Sequence, residues 1–236
     1  MRIDKYLAAC ALGSRKQVHE LIKSGRVTVN EGVIKSIGAH IDEENDIICV
    51  DGERIIYSRF IYLMLNKPMG VISATEDSKL PIVLDLVPNE YSHYNIFPVG
   101  RLDIDTMGLL LLTNDGALAH RLTSPKHHAD KIYYATIDGV VTQADVDAFY
   151  NGIQIDDGYV CKSADLVIIK SDLVSEIELT IREGKFHQVK RMFEAVDKKV
   201  LTLKRIAMGG VLLDKSLESG RMRPLSDDEI KTLRSI

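Results

Sequence analysis

Apolar positions in the first sixty residues recur at helical spacing and then in short alternating runs. One apolar stripe predicts a helix that Gly13 can close, and it consists of Tyr6, Leu7, Cys10 and Ala11. Ser14-Arg-Lys-Gln17 has the form of a capping box, which predicts a second helix ending before Gly25. Residues 27–34 predict a hairpin with its turn at 30–32, and residues 46–50 predict a further strand. Two helices and a short sheet indicate a small α+β module.

From Ile61 onward, runs typical of strands alternate irregularly with helical patterns. Residues 62–65 predict a short strand that Asn66-Lys67-Pro68 stops, and the run 70–73 follows it. The other predicted strands are 109–112, 132–137, 164–169 and 175–181, and the predicted helices are 142–150 and 185–196. Asn114-Asp115-Gly116 is predicted to be the turn that ends the strand 109–112. This mixture predicts an α+β fold with a mostly antiparallel mixed sheet and flanking helices.

The stretch from Gly52 to Phe60 is interpreted as a linker between the two parts of the chain. The predicted domains are therefore a small one over residues 1–58 and a larger one over residues 61–236. A chain of 236 residues is long enough for this division.

Composition places the chain among ordinary globular proteins. It is 45% hydrophobic and 27% charged, and it has no apolar run near the length of a membrane span. The first six residues lack the apolar core of a signal peptide, so a cytoplasmic location is expected. Cys10, Cys49 and Cys161 lie far apart in the sequence, which argues against a disulfide framework or a cysteine zinc site.

The net charge of −4 gives no indication of a nucleic-acid partner, but the distribution of charge does. Residues 1–35 carry a net charge of +4, and residues 182–205 carry a net charge of +5. Two basic islands in an acidic protein are typical of two contacts with a polyanion. The alternative for either island is a solvated charged face.

The second predicted helix begins with two cations, although the dipole of a helix disfavours cations there by some tenths of a kcal/mol. Arg15 and Lys16 lie in its first turn, and His19 and Lys23 occupy the same arc. Contact with phosphate explains this arrangement, together with the following Arg26, better than stability does.

Candidate chemistry is concentrated in a loop that leads into the strand 109–112. Arg101, Asp103 and Asp105 lie between Gly100 and Gly108, and carboxylates beside a buried strand are costly unless they are paired or used. The flanking glycines predict a sharp bend or a close approach by another group. Asp103 and Asp105 could bind a divalent metal, but a loop or helix-cap role is favoured for Asp105.

A second polar segment is Glu183-Gly-Lys-Phe-His-Gln-Val-Lys-Arg-Met-Phe193. Its apolar stripe predicts a buried helix face, and Lys190 and Arg191 lie on the opposite face, where they can meet a carboxylate or a phosphate. His187 is interpreted as a structural residue. His127 and His128 are adjacent, so their side chains point apart on most backbones, and contact with RNA or solvent is favoured over zinc binding. The sequence contains no Gly-rich signature of a nucleotide-cofactor site.

Two parts of the sequence resemble known families. Arg2-Ile-Asp-Lys-Tyr-Leu7, Ser14-Arg15 and Gly25-Arg-Val-Thr-Val-Asn30 resemble the S4 RNA-binding domain. The stretch from Gly100 to Gly116, Lys131-Ile-Tyr133 and the stretch from Glu183 to Phe193 resemble the three motifs of RsuA-type pseudouridine synthases. Leu65-Asn-Lys-Pro-Met-Gly70 fits the same family. The resemblance covers nearly the whole chain and implies a synthase domain built around a catalytic cleft.

The resemblance implies that a uridine is isomerised in place without a cofactor or a metal. The N-glycosidic bond breaks, the base turns, and C5 joins the sugar. Asp103 matches the catalytic carboxylate, Lys190 its basic partner, Tyr133 the active-site tyrosine, and Arg101 the residue that helps hold the extruded nucleotide. The residues expected to bind RNA are Arg2, Lys5, Arg15, Lys16, Lys23, Arg26, Lys185 and Arg191.

Within the family, Ser124-Pro-Lys-His-His128 and His187-Gln-Val-Lys190 look most like the enzymes of small-subunit rRNA, and other members tend to carry Arg where Lys190 stands. The implied partner is small-subunit rRNA or an assembling small-subunit particle, the implied target is uridine 516 of 16S rRNA, and a monomer is expected. The alternatives are a synthase of large-subunit rRNA, a non-catalytic RNA-binding protein, and a metal-dependent enzyme that uses Asp103 and Asp105.

Overall fold

A computed structural model describes residues 1–10, 12–43, 45–55, 58–92, 94–124 and 129–236. The chain divides into two compact units. The first contains Met1–Arg59 with Glu90–Tyr94, and the second contains Phe60–Asn89 with Asn95–Ile236.

The first unit combines two helices with a four-stranded antiparallel sheet in the order β2-β1-β3-β4. Its elements are α1 (Ile3–Ala9), α2 (Arg15–Lys23), β1 (Val27–Val29), β2 (Gly32–Val33), β3 (Ile48–Val50) and β4 (Glu53–Arg54). Its core contains Tyr6 and Leu7 of the predicted stripe together with Val18 and Ile22 of α2. Ala11, the last member of that stripe, lies outside the described residues.

Local sequence signals account for two turns of this unit. The capping box is present, because Ser14 Oγ accepts a hydrogen bond from the Gln17 amide while Gln17 Oε1 accepts one from the Ser14 amide. In the hairpin between β1 and β2, Asn30 and Glu31 have φ values of 49° and 68°. Two successive residues with positive φ match the right-handed twist of the flanking strands.

The interpretation of 52–60 as a linker is wrong for its first part. Glu53 and Arg54 form β4 and pair with β3, and the amide of Ile55 donates a hydrogen bond to the carbonyl of Ile48. The reason is the turn at Asp51 and Gly52, both with positive φ, which folds the chain back onto the sheet.

The second unit is built on a nine-stranded mixed sheet in the order β13-β5-β7-β11-β8-β10-β9, with β12 paired to β11 and β6 to β7. Its strands are β5 (Tyr62–Lys67), β6 (Phe97–Pro98), β7 (Met107–Thr113), β8 (Lys131–Asp138), β9 (Asp165–Lys170), β10 (Val174–Ile181), β11 (Lys199–Met208), β12 (Val211–Leu212) and β13 (Met222–Pro224). The pairing of β7 with β11 is parallel, and the other strand pairs of this sheet are antiparallel.

Helices cover parts of this sheet. They are α3 (Gly116–Thr123), α4 (Gln143–Asn151), α5 (Gln188–Glu194) and α6 (Asp227–Arg234). A short 3₁₀ helix of this unit spans Val83–Leu86, and another spans Asn89–Tyr91, of which Glu90 and Tyr91 belong to the first unit. Helix α4 packs against β9, α5 packs against β11, and α3 packs against α6. The predicted α+β class with a mostly antiparallel mixed sheet is therefore confirmed.

Three strand and turn predictions for this unit are wrong. Strand β5 continues through Asn66 and Lys67, because the Asn66 amide group donates to the Leu217 carbonyl and the Lys67 ammonium also finds carbonyl partners. The run 70–73 forms only a single bridge, between Ile72 and Ile82. The predicted turn after β7 instead opens α3, since Asp115 Oδ1 accepts a hydrogen bond from the Leu118 amide and caps that helix.

The predicted helix 185–196 is shorter in the structure and spans Gln188–Glu194. Its N-cap, His187, has φ 49° and ψ 31°, a left-handed conformation that ends any helix approaching from Lys185. The segment before it is held by a hydrogen bond from the Lys185 amide to Gln188 Oε1.

Gly108 lies where β7 and β11 run parallel. It has φ 98°, and a Cβ atom there would stand 2.3 Å from the carbonyl oxygen of Arg205. The predicted close approach at this glycine is therefore made by the backbone of β11.

Across the described ranges, no helix is both long and apolar enough to cross a membrane.

Candidate active site

A cavity of about 400 Å³ lies in the second unit, between one face of the large sheet, the loop 100–106 and the start of α5. This volume falls within the range of sites for small organic ligands, about 300–1,000 Å³. Its floor comes from inward-facing positions of three adjacent strands, namely Lys131 and Tyr133 of β8, Ile181 of β10, and Leu203 and Arg205 of β11.

The loop that carries Asp103 is fastened to the segment after β5. Ser73 Oγ both donates to the carbonyl of Leu102 and accepts from its amide, at 2.9 and 3.0 Å. The amide of Gly70 donates to the carbonyl of Ile104 at 2.8 Å. These bonds fix the backbone on both sides of Asp103, so its side chain is presented to the cavity by a tethered loop.

Lys67 supports the same loop from inside the protein. Its side chain is fully buried, and its Nζ donates hydrogen bonds to the carbonyl oxygens of Pro68, Asp103 and Thr106 at 3.0, 3.1 and 2.9 Å. Burial lowers the pKa of Lys67 to about 8, although the charges of Asp103 and Asp105 act in the opposite direction. The motif that contains Lys67 therefore shapes the loop rather than reaching the cavity.

The lowered pKa of Lys67 makes the stability of the protein depend on pH. Between pH 8 and about 10.4, the ordinary pKa of lysine, the unfolded chain binds a proton here that the folded chain has released. The free energy of unfolding is therefore expected to rise with pH in this window, and Lys67→Met should remove about 2–3 kcal/mol of that rise. Urea unfolding at several pH values measures this effect.

Lys79→Met is the matched control, because Lys79 is exposed, and it should leave the pH dependence unchanged. An identical rise in the wild-type and Lys67→Met proteins would contradict the prediction.

Asp103 and Asp105 share one cation. Lys190 Nζ donates to Asp105 Oδ1 at 2.6 Å and to Asp103 Oδ2 at 3.3 Å. Partial burial raises the pKa of Asp105, but the hydrogen bond and the charge of Lys190 outweigh burial and hold that pKa below its usual range. The sequence favours a structural role for Asp105, in the loop or as a helix cap. In the structure, Asp105 is instead the nearer of the two carboxylates to Lys190.

His187 lies on the other side of Asp103. Its Nε2 is 3.7 Å from Asp103 Oδ1, and its ring stacks on Phe186 with the centroids 3.7 Å apart. Phe186 is 74% exposed although it lines the cavity, so a large aromatic face is open to a ligand at the rim. Sequence reasoning took His187 for a structural residue and did not assign a role to Phe186.

The start of α5 is held by a buried carboxylate. Glu183 is 4% exposed, and its oxygens accept hydrogen bonds from the Tyr159 hydroxyl, the Lys162 amide and the Gln188 side-chain amide at 2.7, 2.9 and 3.0 Å. With these partners the charge is well satisfied. The network fixes the first turn of α5, and through it the position of Lys190.

The four residues predicted to carry the chemistry all line this one cavity. They are Arg101, Asp103, Tyr133 and Lys190. Arg101 is exposed, Tyr133 is buried, and Asp103 is 28% exposed at its side chain. Residues from a loop, a strand and a helix that are far apart in sequence are thereby brought to one place.

The residues predicted to bind RNA differ in how free they are. Lys5, Arg15, Lys16, Lys23 and Lys185 are exposed. Three others form ion pairs inside their own unit, namely Arg2 with Asp4, Arg26 with Asp51, and Arg191 with Asp156 and Asp157.

The basic island 182–205 is not one exposed surface. Arg182 pairs with Asp165, Lys198 pairs with the buried Asp145, and Arg205 is 1% exposed. Much of its charge is therefore neutralised or buried within the second unit, and contact of its exposed cations with RNA stays a prediction. Alternation along β11 offered a signal, since Arg205 stands at an inward position between Leu203 and Ala207.

The sequence offered two candidate pairs for metal binding, Asp103 with Asp105 and His127 with His128. Among the described ranges, no group of three or more His, Cys, Asp and Glu side chains could hold a metal ion. His127 and His128 lie outside those ranges.

Comparisons with known proteins identify the class. The family model of the RNA pseudouridylate synthases matches residues 61–195, which contain most of the cavity, and the model of the S4 domain matches residues 1–48. The chain belongs to the RNA pseudouridylate synthase family. Within this family it is an RsuA-type enzyme that carries an S4 domain, as its motifs predicted.

Relatives match over the full length of the chain. The RNA pseudouridine synthase YtzG of Bacillus subtilis (strain 168) is 45% identical, and the alignment covers 99% of this chain and 98% of that protein. The ribosomal small subunit pseudouridine synthase A of Escherichia coli (strain K12) is 37% identical over 99% of this chain and 100% of that protein. A crystal structure of a pseudouridylate synthase superimposes with a TM-score of 0.69 at 37% identity, over 99% of both chains.

Proposed function

We propose that this enzyme isomerises a uridine of small-subunit (16S) ribosomal RNA, at uridine 516, and that Asp103 acts at the junction of the sugar and the base. The observation that carries the catalytic assignment is the Asp103 carboxylate at the cavity, with the Lys190 ammonium 3.3 Å away. The choice of small-subunit RNA is supported by full-length relatives with 37–38% identity that are named ribosomal small subunit pseudouridine synthase A.

Enzymes that cleave glycosidic bonds typically use a carboxylate near the anomeric carbon. Asp103 fits this role because its loop is tethered by Ser73 and Lys67, while its side chain remains partly exposed at the cavity. The Lys190 ammonium places a hydrogen-bond donor with a positive charge beside the Asp103 carboxylate. Asp105, the nearer partner of Lys190, would hold the ammonium in position.

Tyr133 and Arg101 fit the handling of an extruded nucleotide. Chemistry on a base within structured RNA requires the base to leave its stack. Tyr133 presents a ring on the floor of the cavity, where a uracil can lie against it. Arg101 is exposed at the entrance and can fill the space that the base vacates or bind the adjacent phosphate.

Mapping of pseudouridine in the rRNA of cells that lack this protein tests the proposal. Loss of the modification at one uridine of small-subunit rRNA is expected, with restoration by the wild-type gene and not by an Asp103→Asn variant. Loss at a site in large-subunit rRNA would reject the proposed target and leave the catalytic assignment to be judged by the variant.

The S4 domain is expected to supply affinity for RNA. Arg15 and Lys16 are exposed in the first turn of α2, a turn without acidic residues. Reversal of both to Glu should weaken RNA binding and lower the slope of log affinity against log salt concentration, by roughly 0.7–0.9 for each phosphate that the variant no longer neutralises. Binding titrations at several salt concentrations measure the slope.

The control is the pair Lys215→Glu and Lys231→Glu, two exposed cations of the second unit. It changes the net charge by the same amount and should leave the slope nearly unchanged. If the variant with both Arg15→Glu and Lys16→Glu had the same slope as the wild type, α2 would not contact the RNA.

A further inference from the structure

Arg205 is a buried cation that the fold does not fully satisfy. Its side chain is 1% exposed, and its Nε donates a hydrogen bond to the carbonyl of Leu109 at 2.8 Å. Its Nη2 is buried and has no hydrogen-bond partner within the described chain. A buried charge with an unused donor destabilises a fold, so stability alone does not account for arginine at this position.

Unsatisfied buried groups gather at the cavity. Among the described residues, three buried side-chain atoms lack a partner, and two of them belong to residues that line it, Thr106 and Arg205. The third, Nε of Arg121, belongs to a residue outside the lining. Polar groups left unpaired at a binding cavity are typical of groups that act on a ligand.

Lys131 places a second buried charge on the same floor. It is 9% exposed and lies on β8 beside β11, and its Nζ donates to the carbonyl of Ala129 at 3.0 Å. Both cations therefore bond to backbone carbonyls and keep their net positive charge. Burial and, after it, the charge of Arg205 lower the pKa of Lys131 to about 8.

The reaction of a pseudouridine synthase creates a negative charge that this floor fits. When an Asp103 oxygen bonds to C1′, the C1′–N1 bond breaks and its electron pair leaves with the uracil. The same pair leaves with the uracil when the carboxylate takes a proton from C2′ and a C1′–C2′ double bond forms. The resulting uracil anion shares its charge among N1, O2 and O4 until C5 bonds to C1′. At that step the Asp103–C1′ bond breaks and its electron pair returns to the carboxylate, or, in the second route, C2′ regains its proton from Asp103. C5 then loses its proton, and N1 gains one.

We propose that Arg205 and Lys131 form a cationic floor of the cavity that stabilises the uracil anion between cleavage of the C1′–N1 bond and formation of the C1′–C5 bond. Charges fixed in a buried site act strongly on a charge that develops nearby, and they need no reorganisation at the moment of reaction. The Nη2 atom of Arg205 is covered, so Arg205 does not touch the detached base and acts on it only through its electric field. The inference rests on the proposed function, which places the target uridine beside Asp103.

The test compares Arg205→Lys with Arg205→Met. Both variants lack the guanidinium and its bond to Leu109, and the two replacements are similar in length, so the main difference between them is the charge. Single-turnover rates at saturating RNA are expected to fall about 100-fold or more for Arg205→Met and less than about 10-fold for Arg205→Lys. The Kd for RNA should stay within about 2-fold of wild type in both, because a buried side chain does not touch the RNA backbone.

Lys131 provides a second arm that does not depend on the folding of the Arg205 variants. The charged and titratable groups that act on Lys131 are Arg205, Asp130, Glu183 and Lys162. The wild-type single-turnover rate is expected to fall as pH rises through about 8, where Lys131 loses its charge. Lys131→Arg should make this alkaline fall smaller than in the wild type, because arginine remains charged, whereas Lys67, whose pKa is also about 8, titrates in both proteins.

Three results would overturn the inference. One is an equal decrease of rate in folded Arg205→Lys and Arg205→Met proteins, and another is an alkaline fall of equal size in the wild type and Lys131→Arg. The third is a weaker Kd and a lower salt slope in Arg205→Met at an unchanged rate, which would make Arg205 a phosphate contact. Asp103→Asn is run in parallel: if it retains activity the proposed function fails, whereas an inactive Asp103→Asn with fully active Arg205→Met rejects the cationic floor alone.

Discussion

Asp103→Asn is expected to abolish pseudouridine formation, with a fall of at least roughly 10⁴-fold in the single-turnover rate, while the protein remains folded. The substitution keeps the shape of the side chain and removes the charge that the chemistry requires. The Asp103 carbonyl still accepts the hydrogen bond from Lys67, so the loop keeps its anchor. Lys190 keeps Asp105 at 2.6 Å, and the ion pair that is removed is partly exposed, so stability should change by no more than about 1 kcal/mol.

The assay is release of tritium from C5-labelled uridine in small-subunit rRNA, because formation of the C1′–C5 bond expels the hydrogen at C5. Thermal melts and RNA binding of the same variant show whether the fold and the interface persist.

Asp105→Asn is the matched control. It removes the neighbouring carboxylate from the same lysine, and Lys190 can then turn fully to Asp103. Turnover should remain within about 10-fold of wild type. Normal tritium release from Asp103→Asn would defeat its catalytic assignment, and a complete loss in Asp105→Asn with Asp103→Asn still active would move that assignment to Asp105.

Gly108→Ala is expected to destabilise the synthase unit by about 3–5 kcal/mol and to disrupt the cavity. The new Cβ would stand 2.3 Å from the Arg205 carbonyl oxygen and 2.9 Å from the Arg205 amide nitrogen, and φ at this position is 98°. Neither the clash with the backbone nor the strain can be relieved by a side-chain rotation, so β7 and β11 must separate. Urea unfolding followed by circular dichroism measures the loss of stability.

Gly116→Ala is the control. It tests whether the loss of stability comes from the position of Gly108 or from replacing a glycine as such. Gly116 is the first residue of α3, and an added Cβ there meets nothing within 4 Å. Alanine favours a helix, so the free energy of unfolding should rise by up to about 1 kcal/mol. A Gly108→Ala protein as stable as wild type would show that β7 and β11 can separate without cost.

Local signals in the sequence were sufficient for much of the fold. The capping box at Ser14 and Gln17 and the alternation along β10 depend on neighbours a few residues away, which the sequence displays directly. Some boundaries failed at local conformations that the pattern of apolar residues does not display, such as positive φ at Asp51 and His187, and others failed where a distant partner decided them. Strand β5 continues through Lys67 because carbonyls of the loop 100–106 satisfy a lysine that would otherwise end the strand.

The sequence by itself determined the class of the protein, its two-part organisation as an S4-containing synthase, and the identity of the four candidate residues in the cavity, because these are properties of motifs. Only the tertiary structure decided which charges meet. The sequence does not contain the distance between Lys190 and Asp105, the ion pairs of Arg191, or the burial of Arg205, since each depends on residues brought together from separate elements. Periodicity indicates which side of a strand faces inward, whereas the packing of the whole sheet decides what a charge on that side will face.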